Sequence, residues 1–183
     1  FIREQIALGR QIYIVFPLIE ESEKLDYKDL MEGYNAIERE FPLPEFQVSV
    51  VHGRMKAEDK EYEMKRFVEG TTNIMVATTV IEVGIDFPNA NLIIIENANK
   101  FGLAQLHQLR GRVGRGEKQG TCILLFKDGL TKNAIKRIKI LKSSDDGFLI
   151  AEQDLKLRGF GDLIGYQQSG IKNFRFADPV IHE

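Results

Sequence analysis

Short, almost wholly apolar runs alternate with helical patterns over the first two-thirds of the chain. Five such runs have the length of single strands, at residues 11–16, 46–51, 73–77, 92–96 and 121–126. They lack the strict polar–apolar alternation of a half-exposed strand, so burial on both faces is expected. Helices between strands of this kind predict a parallel, doubly wound sheet of the α/β class.

Amphipathic spacing predicts the helices that connect the strands. Asp26 is a candidate N-cap for a helix that ends before Pro42. A second helix is expected over residues 56–69, with Gly70 as its C-terminal cap. Its inward face is predicted to consist of Met64, Phe67 and Val68. A third helix is expected over residues 103–110.

The pattern changes after about residue 130. Residues 131–141 and 148–157 predict two helices joined by a short connector, which favours an antiparallel helical hairpin. A glycine-rich stretch follows, with Gly159, Gly161, Gly165 and Gly170. The sequence therefore predicts an α/β domain at residues 1–130, then a helical hairpin and Gly-rich loop at residues 131–183.

Composition limits the cellular setting more than the function. The chain begins at Phe1 rather than methionine, which predicts a piece of a longer protein, and nothing at its start resembles a signal peptide. A single cysteine, Cys122, excludes an internal disulfide, fits a reducing cytoplasm and is expected to be a buried core thiol. A net charge of −2 gives no global nucleic-acid signature.

Local charge is more informative than net charge. Residues 20–32 hold six acidic side chains against two lysines, whereas residues 131–142 hold five basic side chains and no acid. The basic set includes Lys132, Lys136, Arg137 and Lys139. Such a face either contacts phosphates or is a solvated helix surface that supports the hairpin.

Polar residues directly follow several of the predicted strands. They are His52–Gly53, Thr78–Thr79 and Glu96–Asn97. Functional residues of parallel α/β sheets gather at the carboxyl ends of the strands. The sequence therefore predicts a site along that edge. His52 and His107 have no second ligand at a useful spacing, so no metal site is expected.

The segment QLHQLRGRVGR at residues 105–115 carries the most specific pattern in the chain. It spells Q-x-x-G-R-x-G-R with Gln108, Gly111, Arg112, Gly114 and Arg115. Its glycines permit close backbone approach, and two arginines three positions apart can reach one anionic target. Guanidinium groups donate paired hydrogen bonds to phosphate oxygens, so the segment is a candidate phosphate site.

This segment resembles motif VI of superfamily 2 helicases. Upstream, and in the order of that family, residues 77–86 (ATTVIEVGID) resemble motif V, HGRM at residues 52–55 resembles the motif between IV and V, and FPLIE at residues 16–20 stands at motif IV. The sequence around these motifs resembles that of the RecG family of DNA helicases. DGFLIAEQDLKLRGFGDLIGYQQSG at residues 146–170 resembles the translocation motif that RecG shares with transcription-repair coupling factors.

The resemblance implies the second RecA-like motor domain of a helicase and a role for each matching residue. Arg112 and Arg115 match the arginine fingers, and Gln108 matches the residue that links the nucleotide to domain position. Gly84 and Asp86 match motif V positions beside the nucleotide. Contacts to the DNA backbone are implied for His52, Gly53, Thr78 and Thr79. Coupling to translocation is implied for Arg158, Gln167 and Gln168.

No G-x-x-x-x-G-K-[ST] loop occurs in the chain, since Glu117 stands where the glycine pair at 111 and 116 would require lysine. ATP and Mg²⁺ are therefore expected to bind mainly on a first motor domain outside this chain, which alone should be inactive. The implied partners are that domain, an N-terminal wedge, and DNA forks, junctions and duplex arms. The alternatives are a transcription-repair translocase and a non-catalytic DNA-binding module.

Overall fold

The computed structural model describes residues 1–18, 23–78, 87, 90–114 and 120–158. The strands are β1 (Gln11–Phe16), β2 (Val48–Val51), β3 (Ile74–Thr78), β4 (Ala90–Ile95) and β5 (Thr121–Leu124). The helices are α1 (Ile2–Ala7), α2 (Glu23–Glu40), α3 (Ala57–Val68), α4 (Leu103–Arg110), α5 (Lys132–Ser143) and α6 (Gly147–Arg158), with a 3₁₀ turn at Ala98–Lys100.

The five strands form one parallel sheet in the order β2-β3-β1-β4-β5. The predicted doubly wound α/β architecture is confirmed, because alternate residues of the central strands enter two separate cores. Tyr13 and Val15 face a core shared with α3, α4, α5 and α6, whereas Ile12 and Ile14 face a core shared with α1 and α2.

Burial on both faces holds for the central strands but not for the edges. Every residue of β1, β3 and β4 is buried, as predicted. In β5 Thr121 is exposed and the rest of the strand is half-buried. The strand also ends two residues earlier than predicted, leaving Leu125 and Phe126 exposed. An edge strand has only one neighbour, so its apolar composition alone overstates its burial.

Helix positions are confirmed, with two local corrections to helices and one to a strand. Asp26 is not an N-cap, since α2 begins at Glu23, and the residues before Asp26 are good enough helix formers to extend the helix. Val68 is 39% exposed rather than inward, while Phe67 is fully buried. The strand predicted at 46–51 begins at Val48. Gly70 ends α3 with a left-handed φ of 79°, as its predicted capping role requires.

The predicted helical hairpin is present and packs into the sheet's own core. Thr131 caps α5 by accepting a hydrogen bond from the Ala134 N–H at 3.2 Å, and Asp146 caps α6 through the Phe148 N–H at 2.8 Å. Leu141 and Ile150 are buried in the core that lies between the sheet and α4. The hairpin is therefore held against the α/β domain.

Candidate functional site

A small pocket of about 210 Å³ lies at the carboxyl ends of β2 and β3. It is lined by Leu18, Tyr27, Leu30, His52, Gly53, Arg54 and Thr78. Three of the predicted site residues, His52, Gly53 and Thr78, are thus brought together, because β2 and β3 are parallel neighbours whose carboxyl ends meet. The role of this edge as a functional site stays a prediction.

Thr78 supplies an unsatisfied polar atom to this pocket. It is the last residue of β3 and only 3% exposed. Within the part of the chain that the structure describes, its Oγ1 is buried without a hydrogen-bond partner. A buried hydroxyl without a partner costs about 1–3 kcal/mol, so a ligand oxygen that met it here would recover that free energy.

His52 is held in one tautomer by its own backbone neighbourhood. The Arg54 backbone N–H donates to His52 Nδ1 at 3.2 Å, so the neutral ring carries its proton on Nε2. Burial lowers the pKa of His52 from its usual 6.5, and the positive charges of Arg54 and Lys60 lower it further. At neutral pH His52 is therefore an uncharged Nε2–H donor.

Arg112 and Gln108 lie toward the opposite edge of the sheet from the carboxyl-edge pocket. Helix α4 follows β4 and returns to that strand's amino end, where the Gly114 N–H donates to the Ala90 carbonyl oxygen at 3.3 Å. The two edges are about 17 Å apart along the six residues of β4. Because α4 runs back toward the amino ends of the strands, the residues at its end lie at the amino edge, even though the helix follows the carboxyl end of β4.

The side chains at the amino edge differ in exposure. Gln108 is exposed in the last turn of α4. Arg112 is half-buried. Burial raises the pKa of the Tyr13 hydroxyl, and the positive charge of Arg112 opposes part of that rise.

Arg110 and Asp154, which the sequence did not single out, join α4 to the hairpin. Arg110 donates to the carbonyl oxygens of Leu141 at 2.5 Å and Ser144 at 3.0 Å. Asp154, buried in α6, accepts from the Leu103 N–H at 3.2 Å. Arg110 could have been found from its position in the last turn of α4, where a long basic side chain reaches carbonyls.

Arg137 belongs to the basic face whose role the sequence left open. Its guanidinium donates to the carbonyl oxygens of Phe101 at 2.9 Å and Asn99 at 3.0 Å. For this residue the interpretation as support for the hairpin is confirmed. Two alternatives stay predictions for the rest of this face, contact with phosphates or simple exposure to solvent. Its residues are Lys132, Lys136 and Lys139.

The remaining predicted site residues lie outside what the structure describes. They are Thr79, Gly84, Asp86, Arg115, Gln167 and Gln168. Arg158 is the last residue of α6. Among the described residues no group of three or more His, Cys, Asp or Glu side chains could hold a metal ion.

Cys122 is half-buried rather than a core thiol, because it lies on the edge strand β5. Burial still raises the pKa of its thiol to about 11, against the opposing positive charge of Arg110. Little thiolate therefore exists at neutral pH, and the thiol is unreactive as expected.

None of the helices in the described ranges has the length and apolar character needed to span a bilayer.

Comparison with known proteins identifies the class. Residues 2–117 match the family model described as the helicase conserved C-terminal domain. The chain belongs to this helicase C-terminal domain family. Residues 144–178 match a second model, described as ATP-dependent DNA helicase RecG, domain 3, C-terminal.

Curated relatives confirm the resemblance to RecG across nearly the whole chain. The ATP-dependent DNA helicase RecG of Synechocystis is 50% identical over 98% of this chain, and that of Escherichia coli K12 is 51% identical over 94%. The chain spans 21% and 25% of those two proteins, respectively.

Solved structures agree with the fold. A RecG bound to a three-way DNA junction superposes with a TM-score of 0.73 at 45% identity, over 89% of this chain and 21% of that one. Domain 2 of the DEAD-box helicase Mss116p, bound to an RNA duplex, has a TM-score of 0.58 at 22% identity, over 79% of this chain and 53% of that one. The predicted RecA-like helicase fold is thereby confirmed.

Proposed function

We propose that this chain is the second motor domain, with its coupling tail, of an ATP-dependent DNA helicase that remodels forks and Holliday junctions in repair and recombination. The observation that carries the proposal is the pocket at the carboxyl edge, where the unsatisfied Thr78 hydroxyl lies with His52. The chain that holds this pocket is 48–51% identical to RecG helicases. The protein acts on DNA in the bacterial cytoplasm.

The carboxyl edge takes the DNA backbone in this proposal. Thr78 Oγ1 and the His52 Nε2–H donate to phosphate oxygens, and Gly53 leaves room for close approach. Thr79 adds a hydroxyl and a backbone N–H next to Thr78. Uncharged donors of this kind position a backbone without reading its sequence, which suits a motor that must pass any base.

The amino edge takes the nucleotide. Arg112 and Arg115 are proposed to reach the γ-phosphate, Gln108 to link the nucleotide to domain position, and Gly84 and Asp86 to adjoin the ribose. The arginines compensate the negative charge that develops on the transferring phosphoryl group, an effect worth about 10³–10⁵ in rate. ATP and Mg²⁺ are held mainly by the first motor domain, which supplies the phosphate loop and metal ligands.

The tail converts closure of the cleft into movement along duplex DNA. Residues 1–130 form the motor unit, and residues 131–183 form the hairpin and loop with Arg158, Gln167 and Gln168. The support for coupling is mechanical. Arg110 and Asp154 bind the hairpin to α4, whose end leads into Arg112, and Arg137 binds the hairpin to the residues just before α4. A wedge elsewhere in the protein would split the arms of the fork.

The test is DNA-stimulated ATP hydrolysis with forked DNA. We expect none from the 183-residue chain, and a loss of about 10³-fold or more in the full-length protein carrying Arg115→Ala, with ATP binding retained. Arg39→Ala, at an exposed position on α2, is the matched control and should keep full activity. Hydrolysis by the chain alone would contradict the split site, and DNA binding without any ATPase would favour a non-catalytic DNA-binding module.

A further inference from the structure

Tyr27 touches two of the groups that line the carboxyl-edge pocket. Its ring meets the His52 ring edge-on, with centroids 5.0 Å apart and an interplanar angle of 76°. The Arg54 guanidinium lies over the same tyrosine ring, 4.7 Å from its centroid. One aromatic side chain from α2 therefore contacts both an imidazole and a cation that belong to the loop after β2.

The two contacts restrain side chains of the loop after β2. Arg54 is exposed, and an exposed arginine keeps considerable rotamer freedom unless it rests on another group. Stacking over an aromatic face holds a guanidinium in place electrostatically. The edge-on contact similarly limits rotation of the His52 ring, whose Nδ1 already accepts from the Arg54 N–H.

All three side chains line one pocket with Thr78. That pocket, at about 210 Å³, has room for one phosphodiester group. An anionic group placed there would meet a hydroxyl without a partner in the described chain, a neutral ring donor and a guanidinium. The chemistry of the pocket therefore fits a single backbone phosphate.

We propose that Tyr27 is a positioning residue for DNA, holding His52 and Arg54 so that both meet the phosphodiester group that Thr78 binds. This inference rests on the proposed function, and it adds one ionic contact to a site otherwise built from neutral donors. Tyr27 acts through its ring rather than its hydroxyl, since both observed contacts are made by the ring.

The salt dependence of DNA binding separates positioning from a merely structural role. Each phosphate neutralised by a basic side chain adds about 0.9 to the slope of log affinity against log salt concentration. If Tyr27 holds Arg54 on a phosphate, loss of the ring lowers that slope by about 1. A tyrosine that served only as packing would change the free energy of unfolding and leave the slope unaltered.

The experiment measures binding of a fluorescent fork by the full-length protein from 50 to about 300 mM salt. We expect Tyr27→Leu to weaken binding about 3- to 10-fold and to lower the slope by about 1. The matched variant Tyr27→Phe keeps the ring and should bind within about twofold of wild type. An unchanged affinity and slope in Tyr27→Leu, or equal losses in the two variants, would overturn the inference.

Arg54→Gln keeps the test decisive if Tyr27→Leu does not fold. Arg54 is exposed, so its replacement should leave folding intact, and it should lower the slope by about 1. Arg39→Gln, at another exposed position, should leave the slope unchanged. A wild-type slope in Arg54→Gln would equally overturn the inference.

Thr78→Val distinguishes failure of this inference from failure of the proposed function. If Thr78→Val weakens fork binding while Tyr27→Leu and Arg54→Gln do not, the pocket binds DNA and only the role of Tyr27 is wrong. If Thr78→Val has no effect on affinity, the pocket does not bind DNA and the proposal for the whole carboxyl edge is lost.

Discussion

The guanidinium of Arg110 donates to the carbonyl oxygen of Ser144, 3.0 Å away, and so joins the end of α4 to the connector between α5 and α6. A second bond reaches the carbonyl of Leu141, which lies in the last turn of α5. Carbonyls at a helix end lack partners within the helix. Arg110 therefore satisfies two carbonyl oxygens of the hairpin from the end of α4, which leads into Arg112.

Replacement of Arg110 by methionine should destabilise the domain by about 1–3 kcal/mol, because two carbonyls lose a charged donor. The measurement is urea denaturation. Asp145 also pairs with Arg110 at 3.0 Å, but its side chain is 95% exposed, so Asp145→Asn should change stability by less than about 0.5 kcal/mol. A loss in Arg110→Met no larger than that in Asp145→Asn would contradict the assignment.

Gln168→Ala in the full-length protein should separate hydrolysis from movement. The proposed coupling role predicts that DNA-stimulated ATPase largely survives while fork unwinding falls by at least about tenfold, because a coupling residue acts on movement rather than on hydrolysis. Both rates are measured on the same forked substrate. Unwinding at the wild-type rate would remove Gln168 from the coupling set, and a parallel loss of ATPase would indicate a role in hydrolysis instead.

Strand and helix types were predictable because they depend on local patterns. The helix predicted around residues 103–110 is observed at Leu103–Arg110, where Gly102 and Gly111 bound a run of good helix formers. Edge effects were not predictable in the same way. Cys122 and Phe126 belong to an apolar run like those of β1 and β4, and only the strand order leaves them half-buried or exposed.

The candidate site was predictable in part for the same reason. His52 and Thr78 follow strands, so the carboxyl-edge rule placed them correctly. Arg112 was recognised from its motif, but its edge of the sheet was not predicted, and the return of α4 carries it to the amino edge. Tyr27 gave no local signal, because its contacts are with residues 25 and 27 positions away that only the fold brings near.

Gly33 lies on α2 where a side chain has no room. A Cβ added there would stand 2.3 Å from the Phe16 ring, which is 8% exposed in the core beneath α2. Gly33→Ala should gain about 1 kcal/mol from helix propensity but lose about 1–3 kcal/mol to overpacking, so a net loss of stability is expected. Chemical denaturation measures the balance.

Phe16→Leu supplies the control for Gly33→Ala. With the ring removed, the added methyl group no longer clashes, and Gly33→Ala in that background should be neutral or stabilising. Asn35→Ala, exposed on the same helix, should stabilise slightly through propensity alone. Equal effects of Gly33→Ala in the two backgrounds would show that Phe16 is not the limiting contact.

Glu96 follows β4 with a half-buried carboxyl group. Burial raises the pKa of Glu96 above its usual 4.5, although a hydrogen bond from the Asn97 backbone N–H opposes the shift. The folded state then holds more protons than the unfolded state just above pH 4.5, so stability falls as the pH rises through that window. Glu96→Gln should therefore stabilise the domain at pH 7, by less than about 1 kcal/mol because solvent screens the site.

Urea denaturation at pH 4 and pH 7 tests this sign. The gain from Glu96→Gln should be present at pH 7 and largely absent at pH 4, where the carboxyl group is protonated in both states. Glu61→Gln, exposed in the middle of α3, is the matched control and should show no such difference. A variant that is less stable than wild type at pH 7 would mean that the Glu96 charge stabilises the fold.

His52 should make stability fall in acid. Its folded-state pKa lies below the usual 6.5 because of burial, then Arg54 and Lys60, so below pH 6.5 the unfolded chain takes up a proton that the folded chain does not. Its contribution is fully present above pH 6.5 and is lost as the pH falls toward the folded-state pKa. The loss between pH 7.5 and pH 5.5 should therefore be larger in wild type than in a variant that cannot titrate.

His52→Asn is that variant. Its side-chain oxygen can accept the N–H two residues ahead, as Nδ1 now does, but it carries no proton in this range. Denaturation midpoints at the two pH values give the result. Equal acid losses in the two proteins would mean that His52 titrates alike when folded and unfolded, and that it carries a positive charge toward DNA in mild acid.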